Sequence, residues 1–218
     1  MASVYYPNCE RARERLVAHK TTPCSQHLPR GPIPYFPRSR VVKVLEEFPV
    51  GDIFTCSCAK CVHHADLGGK VDVRHMGVDE KELLGPYATI YGLLIYLRYP
   101  FLISLFLQNS TNLENGYLSK DSLGFLKQSR TLNTGQVEIY IDEIVEGQYR
   151  FRVRRFLSRK TVTIIDEAEI LPIEEDSKRV GRGDFGEVYA FDCPLEYMDE
   201  TLQLKQVSSD FASLHSSY

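Results

Sequence analysis

"VEIYIDEIVEGQYRFRVRRF", residues 137 to 156, alternates apolar and polar positions, with Val137, Ile139 and Ile141 and then Tyr149, Phe151 and Val153 on the apolar side. A period of two places every second side chain on one face of a strand, and "EGQ" at 146 to 148 supplies a turn between two such runs. "TVTIIDEAEILPI", 161 to 173, adds a further run rich in β-branched residues. Upstream of Val137 the patterns are helical. A helix-rich half followed by a strand-rich half, with no βαβ alternation, predicts an α+β fold: a helical N-terminal region and then antiparallel β-strands.

The helical half is read from several stretches. Residues 8 to 20, "NCERARERLVAHK", carry a charge-rich, weakly helical pattern, and Pro23, Pro29, Pro32, Pro34 and Pro37 follow as a linker-like segment. In "VVKVLEEFPV", 41 to 50, the residues Val41, Val44, Leu45 and Phe48 fall at i, i+3, i+4 and i+7, the stripe of an amphipathic helix ended by Pro49. "LSKDSLGFL", 118 to 126, starts at a capping serine, Ser119, and directs Leu123 and Leu126 to one side. The expected organisation is a charged helix with a proline-rich linker over 1–40, a helical region with a β-rich end over 41–172, and a separate segment over 173–218.

Composition excludes some partners. The 218 residues are 43% hydrophobic, enough for a core, and 26 basic against 29 acidic side chains give a net charge of -3. No excess of positive charge draws the chain to nucleic acid. The opening "MASVYYPNCERARERL" has no apolar export segment, so an intracellular, cytoplasmic and reduced chain is expected, and its six cysteines are read as thiols. "LLGPYATIYGLLIYLRYPFLISLFL", 83 to 107, approaches the ~20 apolar residues that cross a bilayer. Gly85-Pro86, Arg98 and Pro100 interrupt it, and an Arg in mid-span costs roughly 2.5–3.5 kcal/mol on insertion scales. The expectation is two core helices, about 79 to 98 and 100 to 108, bent at Pro100, and no membrane partner.

"VGRGDFGEVYAF", 180 to 191, holds Gly181, Gly183 and Gly186 at G-x-G-x-x-G spacing. In a dinucleotide-binding unit the third glycine opens a helix. Here "EVYAFDCP" follows, which is aromatic, β-branched and cut off by Pro194, and therefore a strand. A strand, a glycine-rich turn and a second strand form a hairpin whose backbone N–H groups can approach phosphate oxygens. The pattern extends through Val188 with an aromatic at Phe185. It resembles the glycine-rich loop of protein kinases, where the loop joins two strands of the small lobe.

That resemblance covers about 173 to 218. It implies ATP as ligand with Mg²⁺ accompanying it, and phosphate contacts from Gly181, Arg182, Gly183, Asp184, Phe185, Gly186 and Val188. In the family a third strand carries a phosphate-holding lysine. "TLQLKQV", 201 to 207, puts Lys205 after Leu202 and Leu204, although Gln203 departs from the family's small apolar residue. With the helical leader and "EILPI", the chain is similar to fungal Ser/Thr protein kinases that carry a non-catalytic segment before the kinase domain. The family's catalytic-loop, metal-binding and activation motifs come after the lysine, and the thirteen residues following Lys205 supply none of them. Hence the expectation of a truncated kinase small lobe with no catalytic residue of its own. The alternative is a non-catalytic module that binds a protein partner through helices in 41–130.

Three further motifs are read conservatively. In "CSCAKCVHH", 56 to 64, Cys56, Cys58, Cys61 and His63 or His64 offer a tetrahedral zinc set, with Cys24 and His27 as further donors. Structural zinc sites draw ligand pairs from separated segments, so the expectation is a helical region that folds without zinc. "RGD" at 182 to 184 lies inside the glycine loop and is read as part of it. The basic run "RFRVRRFLSRK", 150 to 160, alternates Arg with Phe and Val as a half-exposed strand does.

Overall fold

The computed structural model describes residues 8–22, 33–48, 53, 80–114, 116–129, 132–153, 170, 172, 178–183, 186–190 and 193–199. The chain divides into two compact units, one made of 1–21 with 36–152 and the other of 22–35 with 153–218.

The first unit is helical. It contains α1 (Asn8–Ala18), α2 (Arg38–Glu47), α3 (Glu80–Leu84), α4 (Ala88–Leu97), α5 (Ile103–Gln108), α6 (Gly124–Gln128) and α7 (Thr134–Gly147). Short 3₁₀ turns, Pro100–Leu102 and Gln148–Arg150, precede α5 and follow α7. Helix α2 buries Val41, Val44 and Leu45, the stripe read from its sequence, and half-buries Phe48 just past its end. In α1 the pair Ala12 and Leu16, one turn apart, is fully buried although the helix is otherwise charged.

At the centre lies α4, where every residue from Ala88 to Ile95 is buried. A helix apolar on all sides needs neighbours on all sides, and α1, α2 and α7 supply them. Close approach depends on glycine. A Cβ on Gly92 would sit 2.5 Å from Val41 Cγ1 and 3.3 Å from Phe151 Cε1, and one on Gly147 would sit 3.0 Å from Leu93 Cδ1. Phe151 stacks on Phe36 with centroids 4.4 Å apart, closing the same side of the core.

The apolar stretch is helical as expected, with one additional break. Gly85 to Tyr87 form a turn between α3 and α4, placed by Pro86, whose ring cannot sit inside a helix. The second break falls at Arg98, whose backbone turns left-handed (φ 71°), and Pro100 then starts the 3₁₀ turn. Among the described residues no helix is long and apolar enough to cross a membrane.

Residues 137 to 151 overturn the α+β expectation. They form α7 and its 3₁₀ extension in place of two strands. Val137, Tyr140, Ile141 and Ile144 are buried, at i, i+3, i+4 and i+7, while Ile139, which an alternating strand would turn inward, is 52% exposed. Asn133 caps the helix, its side-chain oxygen accepting from Gly135 N at 2.9 Å. The "EGQ" turn is the helix end. There Gln148, 1% exposed, accepts from Leu118 N (2.6 Å) and donates to Leu118 O (2.8 Å), so its amide pairs with an extended backbone like a neighbouring strand. Ser119 is not the cap expected of it: its Oγ accepts from Ser122 N at 3.1 Å within a turn, and α6 starts only at Gly124 with no side-chain cap bond, while Leu123 and Leu126 are buried.

In the second unit Tyr35, Val153, Ile170 and Tyr197 form a small buried cluster with Ile33 and Cys193 against it, and the Tyr35 and Tyr197 rings meet edge to face at 6.0 Å. Strands β1 (Lys178–Gly183) and β2 (Gly186–Ala190) pair antiparallel and are the only strands among the described residues. Among the described residues the fold is therefore mostly helical with one hairpin, which corrects the α+β expectation: 137 to 150 are helix and 3₁₀ turn in place of strands, and the two strands β1 and β2 do not make up a kinase small lobe. The run at 161 to 173, beyond Ile170 and Pro172, and the third-strand segment at 202 to 205 lie outside the described residues.

Candidate functional site

The glycine motif lies on the hairpin. Its register pairs Lys178 with Ala190, Arg179 with Tyr189, Gly181 with Val188, Arg182 with Glu187 and Gly183 with Gly186. Val180 has no opposite residue, which makes a β-bulge immediately before the first glycine. A bulge bends the strand and sharpens its twist, so the backbone from Gly181 onward is re-aimed relative to Lys178. Asp184 and Phe185, which separate the two strands in the sequence, lie outside the described residues.

Each glycine can be asked whether internal structure requires it. Gly183 and Gly186 are opposite one another as the last pair of the ladder. Gly181 is different. It has no left-handed φ, it is half-buried, and a Cβ there would meet nothing within 4 Å among the described residues. Neither strain nor crowding by the described residues excludes a side chain at 181. What a Cβ would change is how closely an outside group can approach that backbone, and Arg182 beside it is exposed.

The structure brings Gly181, Arg182, Gly183, Gly186 and Val188 together on paired strands. Lys205 lies outside the described residues, as do Cys56, Cys58, Cys61, His63, His64, Cys24 and His27. Among the described residues no three His, Cys, Asp or Glu side chains gather as a metal site.

Two polar clusters were not visible in the sequence. Tyr99 donates to Glu143 Oε2 at 2.7 Å, and its ring packs on Tyr140 with centroids 4.6 Å apart. Burial first, and then the Glu143 carboxylate, hold the Tyr99 hydroxyl pKa above its ordinary value; burial raises Tyr140 as well. In the second cluster, Arg13, Arg98 and Arg150 converge on Tyr96 and Glu10. Its three arginines are separated by more than fifty residues of chain, so no local motif signals it.

No protein-family model, curated protein or solved structure matches this chain.

Proposed function

We propose that the β1–β2 hairpin is a glycine-rich phosphate cover of the protein-kinase type, and that the chain is a protein-kinase family member whose ligand is ATP with Mg²⁺. The backbone from Gly181 to Val188 lies over the phosphates, and Lys205 contacts them as a cation. The observation that supports this reading is Gly181, a glycine that neither its own φ nor any neighbour among the described residues requires. The strand that follows Gly186 supports the kinase type of loop over the dinucleotide type, which needs a helix there.

The residues assigned to the site bind phosphate; none is a general base or a magnesium ligand. Phosphoryl transfer relies on positioning together with metal electrostatics, so the role proposed for this segment is binding without turnover. Magnesium arrives with the nucleotide and neutralises its oxygens. An intracellular, cytoplasmic location accompanies an ATP ligand.

The test compares variants that separate a turn from a cover. Wild type should bind Mg–ATP with a dissociation constant of about 1 mM, because one hairpin walls only part of a pocket. Gly181→Val should leave the fold intact and weaken binding, since no described residue lies within 4 Å of the added Cβ. Lys205→Ala should weaken it as well. Undiminished binding in both variants would remove the proposal, and turnover of ATP by wild type that is lost in Lys205→Ala would show a complete active site.

A further inference from the structure

The arginine cluster of the helical unit carries a second inference, independent of the hairpin. Arg13 donates from Nε to the Tyr96 carbonyl (3.0 Å) and lies over the Tyr96 ring. Arg150 donates from Nη1 to the Tyr96 hydroxyl at 3.0 Å, and Arg98 from Nη2 to Glu10 Oε1 at 2.9 Å. Glu10 is shared, because Arg13 Nη1 reaches the same oxygen at 3.4 Å. Two guanidinium groups therefore share one carboxylate at the C-terminal end of α4, and the third, Arg150, holds the Tyr96 hydroxyl of the same helix. That helix end counts for about half a negative charge, which leaves the cluster at about +1.5.

Two features of Arg98 cost stability. It closes α4 in the left-handed region (φ 71°), where glycine is the favoured residue. Its Nε is also buried without a hydrogen-bond partner among the described residues. Glycine would close the helix with less strain and would bury no donor. An arginine that is unfavourable for the fold, beside two further arginines in a cluster with a single bonded carboxylate, points outward to a ligand. The cluster is open to one, since Arg98 is 39% and Arg13 27% exposed, and Arg150 lies at the surface.

We propose that Arg13, Arg98 and Arg150 form a binding site for a phosphate dianion, either free or carried as a monoester on a peptide side chain. The guanidinium fork matches the oxygens of phosphate two at a time, and a dianion balances the residual charge better than a single carboxylate does.

The full chain is titrated at low salt with inorganic phosphate, with a phosphoserine tripeptide and with the matching serine tripeptide. Saturable binding of phosphate or of the phosphopeptide at about 1 mM, and none of the serine peptide, is expected. Binding of phosphate alone supports a free anion as the ligand, and tighter binding of the phosphopeptide supports a peptide. Arg98→Gly removes a guanidinium and relieves the backbone, so affinity should fall by about tenfold or more while the melting temperature holds or rises. Arg150→Gln, at an exposed position, should weaken binding without affecting folding. Absence of binding to wild type at ~10 mM, or equal affinity in Arg98→Gly and Arg150→Gln, would overturn the proposal.

Discussion

In the helical unit eight consecutive residues, Ala88 to Ile95, are buried along one helix. In the second unit the buried side chains Tyr35, Val153, Ile170 and Tyr197 come from distant points of the chain, and the regular structure described there is a two-stranded hairpin with a short 3₁₀ turn. A two-stranded hairpin is marginal in isolation, whereas a helix packed on all sides is fixed by its surroundings. The consequence is a division between residues chosen by packing and residues that packing leaves open. Gly92 and Gly181 illustrate it: a Cβ on the first would overlap Val41, and a Cβ on the second would touch nothing among the described residues.

Substitutions in the two units should accordingly differ in size. Leu94→Ala opens a cavity beneath α4 and should cost about 2–5 kcal/mol in denaturant unfolding followed by far-ultraviolet circular dichroism. A loss under about 1 kcal/mol would mean that α4 is not the packed centre. Gly92→Val forces a branched side chain against Val41 and should cost about 1–3 kcal/mol, part of it recovered by adding Val41→Ala. Strictly additive effects in that double mutant would place the two helices farther apart than described.

The third effect is a pH dependence. Folding raises the Tyr99 pKa, so the protonated hydroxyl is favoured in the folded state. Its contribution is whole below the ordinary tyrosine value of about 10 and is lost as pH rises from there toward the folded value. Unfolding free energy measured between about pH 8 and 11 should decline above pH 10, and less steeply in Tyr99→Phe. Equal slopes in both proteins would exclude this origin. The smallest expected effect is Gly181→Ala, within about 0.5 kcal/mol of wild type, because the position is open among the described residues. A loss above about 2 kcal/mol would give Gly181 a packing role and remove the contrast on which the functional reading rests.

How much of this was legible in the sequence depends on whether one period or two were written there. Helix α2 carries a single 3.6-residue stripe and was readable to within a few residues. Residues 137 to 144 carry both periods, since Val137 and Ile141 belong to the alternating set and to the helical set alike. Tyr140 and Ile144 complete the helical stripe and Asn133 caps it, so the cap was the local signal that favoured helix. Tertiary packing against α4 and α6 settled the choice. The glycine hairpin was legible because its information is contiguous. The arginine cluster was not, because Arg13, Arg98 and Arg150 meet only through the packing of α1 beside α4 and the chain that follows α7.

The central claim, that the hairpin covers phosphates, is tested most directly by the backbone amide resonances of Gly181, Gly183 and Gly186 during titration with Mg–ATP. The account predicts that all three shift together, saturably, with a midpoint of about 1 mM, and that the shifts shrink in Lys205→Ala. Three amides that stay in place at ~10 mM nucleotide would contradict it, whatever binding is detected elsewhere on the chain.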